Sequence, residues 1–234
     1  RRVLFAQSKT YAPARRQERI ARGRAMNTLL SITVGPLQEH CYILADDARG
    51  EAIVFDPGAE AERILASIAQ RRVVSILLTH AHHDHIGAVA ELRAATGARV
   101  HVHPADAHML GPVLPDAFLG DGQTLALGKT ELRVVHTPGH TPGMVSFVLD
   151  GERAIVGDTL FEGGPGRTWC PDDFRTTLQT LQTVLGWPDQ LECFPGHGPS
   201  FRLGDVRPRI EAFIARGHAA DFFGDATWET TIHE

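Results

Sequence analysis

The sequence predicts an α/β fold in which one β-sheet packs face to face on another and helices cover the outside. Three observations carry that prediction. Short apolar, β-branched runs fall into two sets, residues 30–55 and 123–156, with a further buried run at 73–78. Each set is accompanied by segments whose apolar residues recur at helical spacing. With 234 residues and 43% hydrophobic composition, the chain can bury a core large enough for such layers.

Taken in order, strands are expected at 30–34, 41–45 and 52–55, a meander broken by Gly35-Pro36 and by Asp46-Asp47-Ala48-Arg49-Gly50. Asp56 ends the third strand beside Pro57-Gly58, and residues 59–70 carry Ile64, Leu65 and Ile68 on one helical face. The strand at 73–78 is followed by a loop and a helix at 86–96. Then come a strand at 99–103, a short helix at 104–110 and a Pro/Gly-rich loop at 111–122, expected to line a cleft. Strands at 123–127, 131–136, 144–149 and 154–156 form the second set. A helix at 171–186 has Asp172 and Asp173 in its first turn, where they oppose the helix dipole, and a core stripe of Phe174, Leu178, Leu181 and Leu185. Asp205 is the expected N-cap of a last helix with Ile210, Phe213 and Ile214 inward, after which the chain trails off through Asp221-Phe222-Phe223-Gly224.

The stretch Thr79-His80-Ala81-His82-His83-Asp84-His85 concentrates four imidazoles and a carboxylate on the strand-to-helix loop. Neutral imidazoles and carboxylates are ligands for zinc-like cations, and a loop between packed elements can fix several at once. Assigning His80 and His82 to one ion and Asp84 and His85 to another leaves two incomplete shells, so further ligands must come from elsewhere. Three later strand-end loops, each flanked by Gly or Pro, supply His140, Asp158 and His197.

Together with Val34-Gly35-Pro36-Leu37-Gln38-Glu39-His40-Cys41-Tyr42 and Phe55-Asp56-Pro57-Gly58, these motifs resemble the metallo-β-lactamase-fold hydrolases, and within them the glyoxalase II-like (hydroxyacylglutathione hydrolase-like) thioesterases. The resemblance runs from about Met26 to Ile214. It implies an αββα sandwich of two mixed sheets. It implies that His80, His82 and His140 bind a first ion, that Asp84, His85 and His197 bind a second, and that Asp158 bridges them. Asp56 is then an acceptor behind a ligand imidazole, or on a local reading only a turn former. The implied activity is thioester hydrolysis by a metal-bridging hydroxide, with Asp84 serving the metal rather than acting as a base. Zinc is the expected pair of ions, and iron or manganese suits the same nitrogen and oxygen ligands.

Arg167 is a substrate-carboxylate candidate, or else a brace for its glycine loop, and Trp169 a packing or cleft-wall residue. The run Phe161-Glu162-Gly163-Gly164-Pro165-Gly166-Arg167 lacks the family's basic and aromatic glutathione-contacting motif, and only residues 198–234 follow His197, so weaker glutathione binding is expected. His83, His101, His103 and His108 fall outside the family's metal positions and are expected to be solvated or hydrogen-bonded.

Residues 1–25 hold seven arginines and one lysine against one glutamate, on a chain whose overall charge is −5. They read as a non-native or flexible basic extension, with a single folded domain expected over 26–234. A basic tail without a recognition motif gives no expectation of nucleic-acid binding, and no run approaches a membrane span. Cys41, Cys170 and Cys193 have no close pairing, which suggests reduced thiols in the cytoplasm. The expected partner is a small-molecule thioester. Lactone or other ester and amide hydrolysis on the same centre, and oxidation at a single iron held by the His80, His82 and Asp158 positions as in persulfide dioxygenases, are the alternative activities. A noncatalytic binding module would not require a complete ligand set.

Overall fold

The computed structural model describes residues 27–229 and the backbone of Arg19 and Ile20. The expectation for residues 1–25 otherwise lies outside the described residues. The first sheet runs in chain order: β1 (Arg19–Ile20), β2 (Thr28–Val34), β3 (Glu39–Asp46), β4 (Glu51–Phe55), β5 (Arg72–Leu77), β6 (Arg99–Val102) and β7 (Ala117–Phe118). β1 to β4 pair antiparallel, and β4 to β7 pair parallel. The second sheet draws on β8 (Thr124–Leu127), β9 (Thr130–His136), β10 (Val145–Leu149) and β11 (Arg153–Gly157), then, beyond the small hairpin β12 (Leu160–Phe161) and β13 (Gly164–Pro165), on β14 (Glu192–Pro195) and β15 (Phe201–Arg202). β11 and β14 are its parallel pair. Helices α1 (Ala61–Ile68), α2 (His83–Ile86) and α3 (Val89–Thr96) follow strands of the first sheet, while α4 (Pro171–Val184) follows the β12–β13 hairpin and α5 (Leu203–Ala215) follows β15 of the second sheet.

Strand alternation distributes the side chains among three cores. On β3, Cys41 and Ile43 enter the core shared with α1 and α3, whereas Tyr42 and Leu44 enter the core between the sheets. There Phe55 of β4 meets Phe147 of β10 edge to face, with centroids 5.2 Å apart. The third core joins the outer face of β11 and β14 to α4 and α5 through Phe174, Leu181, Ile210 and Phe213. The layers are therefore helix, sheet, sheet, helix, an αββα sandwich of two mixed sheets. Because β4 and β5 run parallel, as do β11 and β14, their C-terminal ends bring Asp56, the histidine loop, Asp158 and His197 to one edge.

Four expectations need correction. The helix expected at 86–96 begins earlier and is broken, so Asp84 and His85 lie on α2 rather than on a loop. Gly87 packs against the Gly58 carbonyl where no Cβ would fit, and Ala88 N–H turns to Pro57 O, so tertiary contact interrupts the helix. Asp205 is not an N-cap: Arg202 holds the extended cap position and Asp205 lies in the first turn of α5. The loop at 111–122 contributes β7 to the edge of the first sheet and, through Asp121, lines a separate cavity of about 360 Å³ with His136 and Thr180 rather than the one beside His140 and His197. Finally, the C-terminal segment does not trail off. Trp228 is 1% exposed, donates from Nε1 to Glu162 O at 2.8 Å and from its backbone N–H to Gly163 O at 3.0 Å.

Candidate metal centre

All seven residues singled out in the sequence converge at this edge, as two groups of three with Asp158 between them. His80, His82 and His140 present nitrogens close enough to hold one ion, and Asp84, His85 and His197 do the same for another. Within the first group His82 Nδ1 and His140 Nε2 are 2.8 Å apart. Within the second, His197 Nε2 lies 3.2 Å and His85 Nε2 3.8 Å from Asp84 Oδ2. Asp158 faces both: Oδ1 is 3.4 Å from His85 Nε2, and Oδ2 is 3.5 Å from His140 Nε2 and 3.6 Å from His197 Nε2.

The outer nitrogens of four rings are occupied, which aims the inner ones at the centre. His140 Nδ1 donates to Arg167 O at 2.8 Å, His197 Nδ1 to Leu37 O at 3.1 Å, and His85 Nδ1 to Asp56 Oδ2 at 3.1 Å. His80 Nδ1 lies 3.1 Å from Thr79 Oγ1, whose own hydrogen goes to Asp56 Oδ2 at 2.6 Å. Asp56 also accepts Thr79 N–H at 2.7 Å. One buried carboxylate thus orients two imidazoles, one directly and one through a hydroxyl.

The donor set fits a divalent cation. His80 Nε2, His85 Nε2 and Asp158 Oδ1 are buried without any hydrogen-bond partner, a costly arrangement unless a cation satisfies them. Gly196 closes the centre tightly, since a Cβ there would strike Asp158 Oδ1 and the His85 ring. Burial holds His80, His82 and His140 below the ordinary imidazole range, His82 at about 4, so their lone pairs are available at neutral pH. Burial also disfavours charge on His85 and His197, but neighbouring carboxylates, chiefly Asp158 for the first and Asp84 for the second, outweigh it and raise both. Burial opposes ionisation of Asp84 and Asp158, yet the surrounding histidines pull both carboxyls down.

A cavity of about 470 Å³ opens beside His140, Asp158 and His197, walled by Phe161, Gly164 and Ala226 among others. Arg167 at its rim pairs with Asp225 at 2.7 Å and lies over the Trp169 ring at 5.1 Å, while Trp169 is 54% exposed and meets His82 edge-on. Several contributors escaped sequence reading. Asp106 is fully buried and accepts from Thr141 Oγ1 and Gly143 N–H, both at 2.7 Å, fixing the loop that bears His140. Glu39, 1% exposed, lies 3.8 Å from His85 Nδ1. The remaining histidines stay outside the groups: His83 is exposed, His101 lies 3.5 Å from Ser75 Oγ, and His103 accepts Ala105 N–H and stacks on His136. His108 joins no candidate metal group among the described residues.

The chain is similar to several known proteins. Hydroxyacylglutathione hydrolase GloC of Haemophilus influenzae is 34% identical over 198 residues, covering 75% of this chain and 93% of that protein. The solved structure of BLEG-1, a B3 metallo-β-lactamase, matches with 32% identity and a TM-score of 0.70, covering 77% of this chain and 96% of that one. TTHA1623, solved in a di-iron-bound form, matches with 34% identity and a TM-score of 0.65, covering 76% and 96%. Residues 34–197, which span every residue of the two groups, match the Metallo-beta-lactamase superfamily, and the chain belongs to that superfamily of metallo-hydrolases.

Proposed function

We propose that this protein is a dinuclear metal-dependent hydrolase acting on thioesters of the hydroxyacylglutathione type. The observation that carries the reading is the position of Asp158, whose two carboxylate oxygens face nitrogens of both ligand groups. His80, His82 and His140 would hold one ion, Asp84, His85 and His197 the other, and Asp158 would serve both. Zinc is the first choice, with iron or manganese as alternatives. When bound, such ions supply Lewis acidity, acidifying water to a pKa of about 7 and polarising a carbonyl.

The protein's own groups perform the remaining tasks. Asp56, Thr79 and the carbonyls of Leu37 and Arg167 keep the imidazoles oriented, so little reorganisation is needed when charge develops on a substrate. The cavity beside Asp158 receives the substrate, and its small-residue wall leaves room for an acyl or thiol arm. No cysteine lines the cavity beside Asp158: Cys41 and Cys193 are buried, which raises the thiol pKa of both, the latter to about 12, and the Cys170 side chain caps α4 by accepting from the Asp173 N–H. A thioester suits a site without an evident general acid, because thiolate leaves with little proton assistance. Relatedness to GloC supports the thioester class. The partner would be the small-molecule substrate, and the free cysteines favour a cytoplasmic setting. Among the described residues no helix is long and apolar enough to cross a membrane.

Likeness to a B3 metallo-β-lactamase favours a second reading, amide or lactone hydrolysis at the same centre. A hydrolysis screen of S-lactoylglutathione, lactones, a chromogenic β-lactam and phosphodiesters on metal-analysed protein separates the two. The proposal expects the thioester to be turned over fastest. Untouched glutathione thioesters beside rapid lactone or β-lactam opening would replace it with the second reading.

A further inference from the structure

His197 sits on a ligand loop between two glycines. Its neighbours are Gly196 and Gly198, the latter at φ 76°, so the peptide on either side has the greatest conformational freedom the chain offers. Its side chain is 27% exposed, against 16% for Asp84, 10% for Asp158 and 0% for His85. Order must come from outside the loop.

It comes from the other sheet. Tyr42 O–H donates to Pro195 O at 2.6 Å, His40 N–H to Gly196 O at 2.8 Å, and His197 Nδ1 to Leu37 O at 3.1 Å. The His40 ring closes the set, with Nε2 donating to Gly198 O at 2.8 Å and Nδ1 accepting from Thr33 Oγ1 at 3.1 Å. That acceptor role leaves the imidazole hydrogen on Nε2, where the Gly198 carbonyl needs it. His40 therefore grips the carbonyls on both sides of His197, one through its backbone and one through its side chain.

We propose that His40 is a positioning residue for the second metal position, holding His197 Nε2 toward Asp84 and Asp158 by fixing the Gly196–His197 peptide through its backbone and the Gly198–Pro199 peptide, one residue beyond, through its side chain. The inference rests on the dinuclear reading above. It assigns the second ion's affinity to a residue that touches neither ion nor substrate. Groups behind metal ligands typically change affinity 10- to 100-fold when removed.

The test titrates zinc(II), and in parallel cobalt(II) followed by its visible absorption, into chelator-stripped wild-type, His40→Ala, His40→Gln and Thr33→Val proteins, with thermal melts of each metal-free form. In His40→Ala the first ion should bind as in wild type and the second about 10- to 100-fold more weakly. His40→Gln, whose amide can still donate to Gly198 O, should recover most of that loss, and Thr33→Val should show a smaller one. If His40→Ala misfolds, His40→Gln and Thr33→Val carry the comparison. Two ions bound by His40→Ala with wild-type affinities would overturn the inference while leaving the dinuclear reading intact. So would parallel weakening of both ions that merely tracks a lower melting temperature. A wild-type protein that takes one ion only would instead remove the dinuclear reading on which the inference stands.

Discussion

His85 Nδ1 lies 3.1 Å from Asp56 Oδ2, an approach between a buried side chain of α2 and a buried carboxylate just after β4. Asp56 simultaneously accepts the N–H and O–H of Thr79, so its loss would strand three donors. Asp56→Ala should therefore cost about 3–5 kcal/mol of stability in the metal-free protein. It should also weaken metal binding about 10- to 100-fold. Denaturant melts and competition with a chromogenic chelator measure the two effects. A variant with wild-type stability and affinity would show that Asp56 is only a turn residue.

Asp158→Ala should damage the protein more than Asp84→Ala, because Asp158 faces both nitrogen groups and Asp84 only the second. Bound metal and turnover should fall together, with Asp158→Ala at least roughly tenfold worse in kcat. Parallel metal analysis and steady-state kinetics provide the comparison. Near-normal turnover with two ions retained in Asp158→Ala would refute the shared role.

Arg167 pairs with Asp225 in an exposed contact, so either substitution should change stability by no more than about 1 kcal/mol. If the guanidinium braces the cavity rim, Arg167→Ala and Asp225→Ala should shift KM for S-lactoylglutathione in the same direction, and the double variant should be no worse than the singles. Opposite shifts, with Asp225→Ala lowering KM and Arg167→Ala raising it, would assign the arginine to a substrate carboxylate instead.

Trp228 anchors the segment whose residues 225–227 wall the cavity. Trp228→Ala should cost about 3–5 kcal/mol through lost burial against Phe213 and its neighbours. KM should rise as the wall loosens, while the stoichiometry of bound metal stays unchanged. Urea unfolding and metal analysis on the same preparation check both parts. Loss of metal in this variant would mean that the segment supports the centre as well as the cavity.

The layered fold and the seven converging residues were legible because their signals are local. Strand alternation needs only a few residues, and each of His140, Asp158 and His197 stands in a short loop marked by Gly or Pro. What escaped depends on partners far along the chain. The break before α3 arises from contact of Gly87 with Gly58, and nothing near residue 87 announces it. Asp106 looks like any helix-start aspartate until Thr141 and Gly143 are seen against it. His40 and Tyr42 read as strand residues, although their polar atoms reach carbonyls more than 150 positions away. Trp228 follows a glycine-containing stretch with no periodic pattern, so its burial was invisible from sequence.

Metal stoichiometry tests the central claim most directly. Chelator-stripped protein reloaded with excess zinc(II), dialysed and measured by elemental analysis should hold close to two ions per chain, with Asp158→Ala markedly fewer. A single ion per wild-type chain, with the second position still empty under excess metal, would contradict the dinuclear account.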